Sequence, residues 1–191
     1  MNAIQNLLAA LVDGDDVRAE AAAHRIASLG AEVIPDLSTL LSNLNTEIRW
    51  WAVRTLAEIP HPNVVPQLVQ ALRDSDLSVR QCAALALRQH PDPRAIGELS
   101  SVMRDNDILL ARLAGNALVA LGAAAVPDLL DVMQNRYQHS CLEAARALAL
   151  IGDTRAIPTL YSALDSDSVI MEYWATEGLE RMGVGMAFFV P

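Results

Sequence analysis

Apolar residues along the chain recur at spacings of three and four, and short polar segments rich in aspartate, glycine and proline interrupt them. Leu37, Leu40, Leu41 and Leu44 form one such set, and Leu129, Val132 and Met133 another. This periodicity predicts amphipathic helices rather than strands. A longer period lies over it. Segments ending at Gly30, Gly122 and Gly152 look alike, and aligning on that end adds Pro60, Pro91 and Gly183. The intervals are 30, 31, 31, 30 and 31 residues.

Positions not used in the alignment test it. Eight residues before each end stand Ala22, Ala52, Ala83, Ala114, Ala144 and Ala175. Four before stand Ile26, Leu56, Leu87, Leu118, Leu148 and Leu179, and one before stand Leu29, Ile59, His90, Leu121, Ile151 and Met182. These offsets share one helical face, on which alanine permits close approach and the larger residues fill the layer. Shortly after each end comes Pro35, Pro66, Pro127 or Pro158, with Gly97 in the remaining place. Proline suits a first helical turn, where its missing N–H would be unpaired. Asp15, Asn45, Asp76, Asp107 and Ser168 stand where they can cap a second helix, and Tyr137 breaks that series. Each repeat therefore reads as a helix, a polar turn and a second helix. The repeats are approximately 1–30, 31–60, 61–91, 92–122, 123–152 and 153–183, followed by a tail at 184–191. Such pairs bury their apolar faces only by stacking, so one repeat domain over 1–191 is expected.

Composition narrows the functional classes. The chain has 191 residues, 52% of them apolar and 4% aromatic, which suits closely packed helices. Its formal charge is −9, and all 14 basic residues are arginine. An acidic surface repels phosphate backbones and disfavours nucleic acid as a partner. Met1 to Asp16 lacks the basic start of a signal peptide, and no apolar run is read as a membrane span. Cys82 and Cys141 fall two repeats apart, too far for a disulfide, and two buried thiols fit a cytoplasmic protein.

The segments Leu77 to Ile96 and Glu143 to Leu160 resemble the HEAT-like repeat of the phycobilisome-lyase type. The matching residues include Asp76, Val79, Arg80, Ala83, Ala84, Leu87, Asp92, Arg94, Ala95 and Ile96. The resemblance implies an all-α fold, a right-handed α-solenoid of six HEAT-like helix pairs. It implies less about function, because the family holds chromophore lyase subunits, phycobilisome-degradation factors and many scaffolds. Arg49 and Arg80 match the repeat's arginine and are expected to bond turn groups between repeats.

The polar residues form no catalytic or ligand-binding pattern. His24, His61, His90 and His139 fall in different repeats without a close ligand pair, so no metal site is read. Paired aspartates such as Asp74 and Asp76 sit in turns, where capping accounts for them. Gly183-Val184-Gly185 lacks the rest of a phosphate loop. No cofactor or catalytic residue is assigned, and an enzyme reading rests on the lyase resemblance alone.

One stripe departs from the acidic average. In solenoids of this kind the second helix lines the concave surface. On the side of that helix opposite the alanine column stand Trp50, Arg54, Arg88, Arg112, Asn116, Arg146 and Tyr173. Trp, Tyr and Arg anchor interfaces more than other residues do. The expected function is thus a non-enzymatic scaffold that binds a protein or peptide, acidic or mixed acidic and aromatic, along these residues. The alternatives are a bilin lyase subunit or phycobilisome-related chaperone and, behind both, a nucleic-acid binder. The apolar tail, with Met186, Phe188 and Phe189, is expected either to fold back or to mediate self-association.

Overall fold

The computed structural model describes residues 3–134 and 137–184. Met186, Phe188 and Phe189 lie outside the described residues. Twelve α-helices and no strand occur among those described. They are α1 (Ala3–Leu11), α2 (Asp16–Ala27), α3 (Ile34–Leu40), α4 (Thr46–Leu56), α5 (Val65–Ala71) and α6 (Leu77–Gln89), then α7 (Ile96–Met103), α8 (Ile108–Leu121), α9 (Val126–Val132), α10 (Gln138–Ile151), α11 (Ile157–Ala163) and α12 (Val169–Arg181). The protein is an all-α solenoid of repeated helix pairs. Its repeats divide between two compact units, Met1–Ala95 and Ile96–Pro191.

Local chemistry starts and stops each helix. Asp15, Asn45, Asp76, Asp107 and Ser168 are N-caps whose side chains accept from backbone N–H groups of the first turn. Tyr137 occupies the same place before α10 without a side-chain cap bond. Pro35, Pro66, Pro127 and Pro158 stand in the first turns of α3, α5, α9 and α11. Repeat ends close in two ways. Gly122 and Gly152 turn the chain with φ of 61° and 69°, a conformation that a side chain resists. At Pro60 and Pro91 no glycine is needed, because the chain leaves extended, as at His61 with φ −140°.

Within the first unit α2, α4 and α6 pack side by side, and within the second α8, α10 and α12 do. The alanine column lies in these contacts, all six residues being buried. The column four residues later, Ile26 through Leu179, is buried too. The third column departs from expectation. Leu29 is exposed and His90, Leu121, Ile151 and Met182 are only partly covered, while Ile59 is buried. That position falls at or beyond the helix end, where the chain already turns away from the core.

Charged side chains tie each repeat to the next. Arg49 donates from Nε and Nη2 to both carboxylate oxygens of Asp74, at 2.7 and 2.8 Å, and from Nη1 to the Asn43 carbonyl at 2.9 Å. It thus closes its own turn and grips the next, as its place in the repeat implied. Arg80 donates to the carbonyls of Asp74 and Ser75 in its own turn. A second tie recurs in both units. Arg94 donates to Asp92 and to the Pro62 carbonyl, and Arg155 to Asp153 and to the Ala123 carbonyl.

Those arginines hold the Asp92 and Asp153 carboxyls at about 2, below the ordinary 3.8. A depressed carboxyl stabilises the fold above its unfolded pKa, and the contribution disappears as pH falls through the folded value. The double variant Asp92→Asn/Asp153→Asn should therefore melt below the parent at neutral pH. The gap should close between about pH 4 and pH 2. Melting curves across that range check this, and a pH-independent gap would contradict it.

Length and composition single out one run. Ile108–Val132 is long and apolar enough to cross a membrane by those criteria, with a mean hydropathy of 1.8. Its helix is interrupted at Gly122, and Ala111, Ala114, Ala117, Leu118 and Leu129 are fully buried within the second unit. The run is apolar because α8 and α9 supply core.

Candidate protein-binding face

The second helices carry the seven candidate residues, three in the first unit and four in the second. In the first unit Trp50 is half-buried and meets Trp51 edge-on, with ring centroids 5.0 Å apart. Trp51 itself is core. Arg54 is not a free cation. It ion-pairs with Glu58, just past the end of its own helix, and, at 2.9 Å, with Glu20 of the preceding repeat. Arg88 is exposed and has no ion-pair partner among the described residues. Leu85, one turn before it, is 48% exposed. Arg54, Ala57, Glu58, Cys82, Leu85, Ala86 and Gln89 line a shallow open depression on this face.

In the second unit the candidates form a network. Glu143 of α10 is 2% exposed, yet both its oxygens are used. Oε1 accepts from Arg112 Nε at 2.8 Å and Oε2 from Arg146 Nε at 2.6 Å. Arg146 Nη2 reaches Asn116 Oδ1 at 2.7 Å. Arg146 therefore does not face a partner as the register suggested. It is buried, and its role is to hold Glu143 and Asn116. Arg112 keeps its side chain 54% exposed, and Tyr173 is 57% exposed against Trp174.

Titratable groups near these faces already have partners within the fold. His24 approaches Glu58 at 2.7 Å and Glu20 at 3.3 Å, and these three could hold a metal ion. Arg54 already supplies a cation to both carboxylates. The His90 and His139 rings meet the carbonyls of Ala57 and Asp105, and His61 caps a turn. Burial pushes the Cys82 thiol up to about 11 against a smaller opposite pull from Arg54. It stays protonated at neutral pH and is a poor nucleophile.

The sequence reading missed one surface. Ile108, Leu109, Val169 and Ile170 are more than half exposed, at the first turns of α8 and α12. Their signal was an apolar pair directly after a capping residue, ahead of the first core position.

Two family models match the chain. "HEAT repeats" covers residues 34–118 and "PBS lyase HEAT-like repeat" covers residues 141–166. No curated protein sequence matches. Solved structures share the fold at low identity. The complex of CpcE and CpcF of phycocyanin lyase from Nostoc is 22% identical with a TM-score of 0.62, over 76% of this chain and 97% of that one. The Escherichia coli protein YibA is 18% identical with a TM-score of 0.63, over 94% and 70%. A designed armadillo repeat protein in complex with the peptide (KR)4 is 18% identical with a TM-score of 0.56, over 95% and 100%. Repeat register, helix pairing and both models agree: the chain carries HEAT repeats, matched over residues 34–118, and a HEAT-like repeat of the PBS-lyase type at residues 141–166.

Proposed function

We propose that the protein is a non-enzymatic scaffold that holds an acidic, or mixed acidic and aromatic, segment of another protein on its second-helix faces. The observation that carries this reading is the combination of exposed Arg88 and Arg112 with exposed Leu85 and Tyr173 on one kind of helix face of an acidic chain. A net charge of −9 disfavours an acidic partner in general, and Arg88 and Arg112 give these faces a local attraction for one. The apolar neighbours add contact area. Arg54 and Arg146 belong to the proposed site as supports, since internal carboxylates neutralise them. Structural neighbours are compatible with a protein partner, one being a peptide complex and one a lyase complex.

The test uses a partner isolated by affinity capture and then purified. Arg88→Glu and Arg112→Glu, each confirmed to melt like the parent, should weaken its binding by about tenfold or more, since charge pairs across an interface carry such energies. Unchanged affinity in both would place binding elsewhere. The match at 141–166 favours one second reading, a bilin lyase subunit. An absorbance change on adding a bilin would support that reading over the scaffold.

A further inference from the structure

Arg146 can only donate hydrogen bonds, so the Asn116 atom it touches is the carbonyl oxygen. The Asn116 amide nitrogen is then left with two N–H groups, and no acceptor among the described residues takes them. Arg112 is in a similar position. Its Nε is committed to Glu143, and its two terminal amines have no partner among the described residues. Arg112 and Asn116 are four residues apart on α8, so their side chains are neighbours on one face. Both are fixed from behind by groups of α10, namely Glu143 and Arg146.

We propose that Arg112 and Asn116 form a preorganised clamp for one carboxylate side chain of the partner segment. This deepens the scaffold reading and rests on it. The clamp offers donors only. With Arg146 and Glu143 behind it, the network sums to a single positive charge, which one carboxylate balances. Glu143 does not repel that carboxylate directly, since both its oxygens are occupied and its side chain is 3% exposed. Anchoring both side chains beforehand, the long Arg112 above all, reduces the ordering that binding would otherwise cost. Tyr173, exposed on α12, is available for an aromatic neighbour of the acidic residue.

The probe is a hexapeptide of alternating glutamate and tyrosine, with its glutamine–tyrosine counterpart as control. Isotope-labelled protein is titrated while the Arg112 Nε–H and Asn116 amide resonances are followed by NMR. The glutamate peptide should shift both, and the glutamine peptide neither. Asn116→Asp keeps the acceptor for Arg146 but replaces the amide donor with a negative oxygen. It should weaken the glutamate peptide by about tenfold or more. If that variant does not fold, Arg112→Gln, on an exposed side chain, should show the same loss. Equal binding of the two peptides would overturn the clamp, as would unchanged affinity in these variants. Shifts on α4 and α6 with silent Arg112 and Asn116 would refute the clamp while leaving the scaffold reading intact. Shifts confined to α9 and α11, or none, would refute the clamp and count against the scaffold reading too.

Discussion

Replacing Glu143 with alanine should destabilise the protein by about 3–5 kcal/mol, the cost of leaving a buried charge without its partner. Glu143 is almost wholly enclosed and is the shared acceptor of Arg112 and Arg146. Arg112 is exposed, so water can replace its lost bond. Arg146 is not, and its guanidinium would keep only Asn116. The loss should therefore come from Arg146. Replacing Glu143 and Arg146 together with leucine should recover much of it, since a well-packed apolar pair is often no worse than a buried ion pair. Denaturant titrations measure both changes, and the slope should stay constant while the midpoint moves. A loss within about 1 kcal/mol for Glu143→Ala, the range of exposed pairs, would mean that the network is a solvated one.

Gly178→Leu is the second large effect. In α12 this glycine faces α10 and α11 so closely that a Cβ would stand 2.7 Å from Leu160 Cδ1, 2.9 Å from Ala149 Cβ and 3.0 Å from Ala149 Cα. Leu160 can rotate away, but the backbone of α10 at Ala149 cannot. The substitution should cost about 3 kcal/mol, the upper end of overpacking. Gly178→Ala should cost less, because one methyl is added and helix propensity improves by about 1 kcal/mol. Adding Leu160→Ala should not rescue Gly178→Ala, because removing a fully buried leucine itself costs about 2–5 kcal/mol. If Gly178→Leu melts with the parent, α10 and α12 are not packed as the structure has them.

These two predictions also mark how far the sequence was legible. Helix pairing, caps and the alanine column follow from rules acting within about thirty residues, which periodicity exposes directly. The exposed place of Arg112 and Tyr173 was legible in the same way, from the side of the helix opposite the alanines. Arg146 was misplaced because its burial depends on Glu143 and on Asn116, thirty residues earlier in a neighbouring helix. Arg54 was read as free for a like reason, since Glu20 lies 34 residues away. Single-helix registers assign a face but not the counter-charge that the next repeat brings to it. The exposed Ile108, Leu109, Val169 and Ile170 were missed because they precede the first core position of their helices and fall in none of the aligned columns.

The most direct test of the scaffold reading is a photo-crosslinking map. A photoreactive phenylalanine analogue is placed singly at Leu85 and Leu142 on the second helices, at Thr39 and Ser162 on the first helices, and at Leu109 on the exposed first turn of α8. With the purified partner present, adducts should form from Leu85 and Leu142 and not from Thr39 or Ser162, and the Arg112→Glu background should reduce the Leu142 adduct. Adducts from Leu109, Thr39 or Ser162 with none from Leu85 and Leu142 would show that the second-helix faces are solvated surfaces and that the partner sits elsewhere.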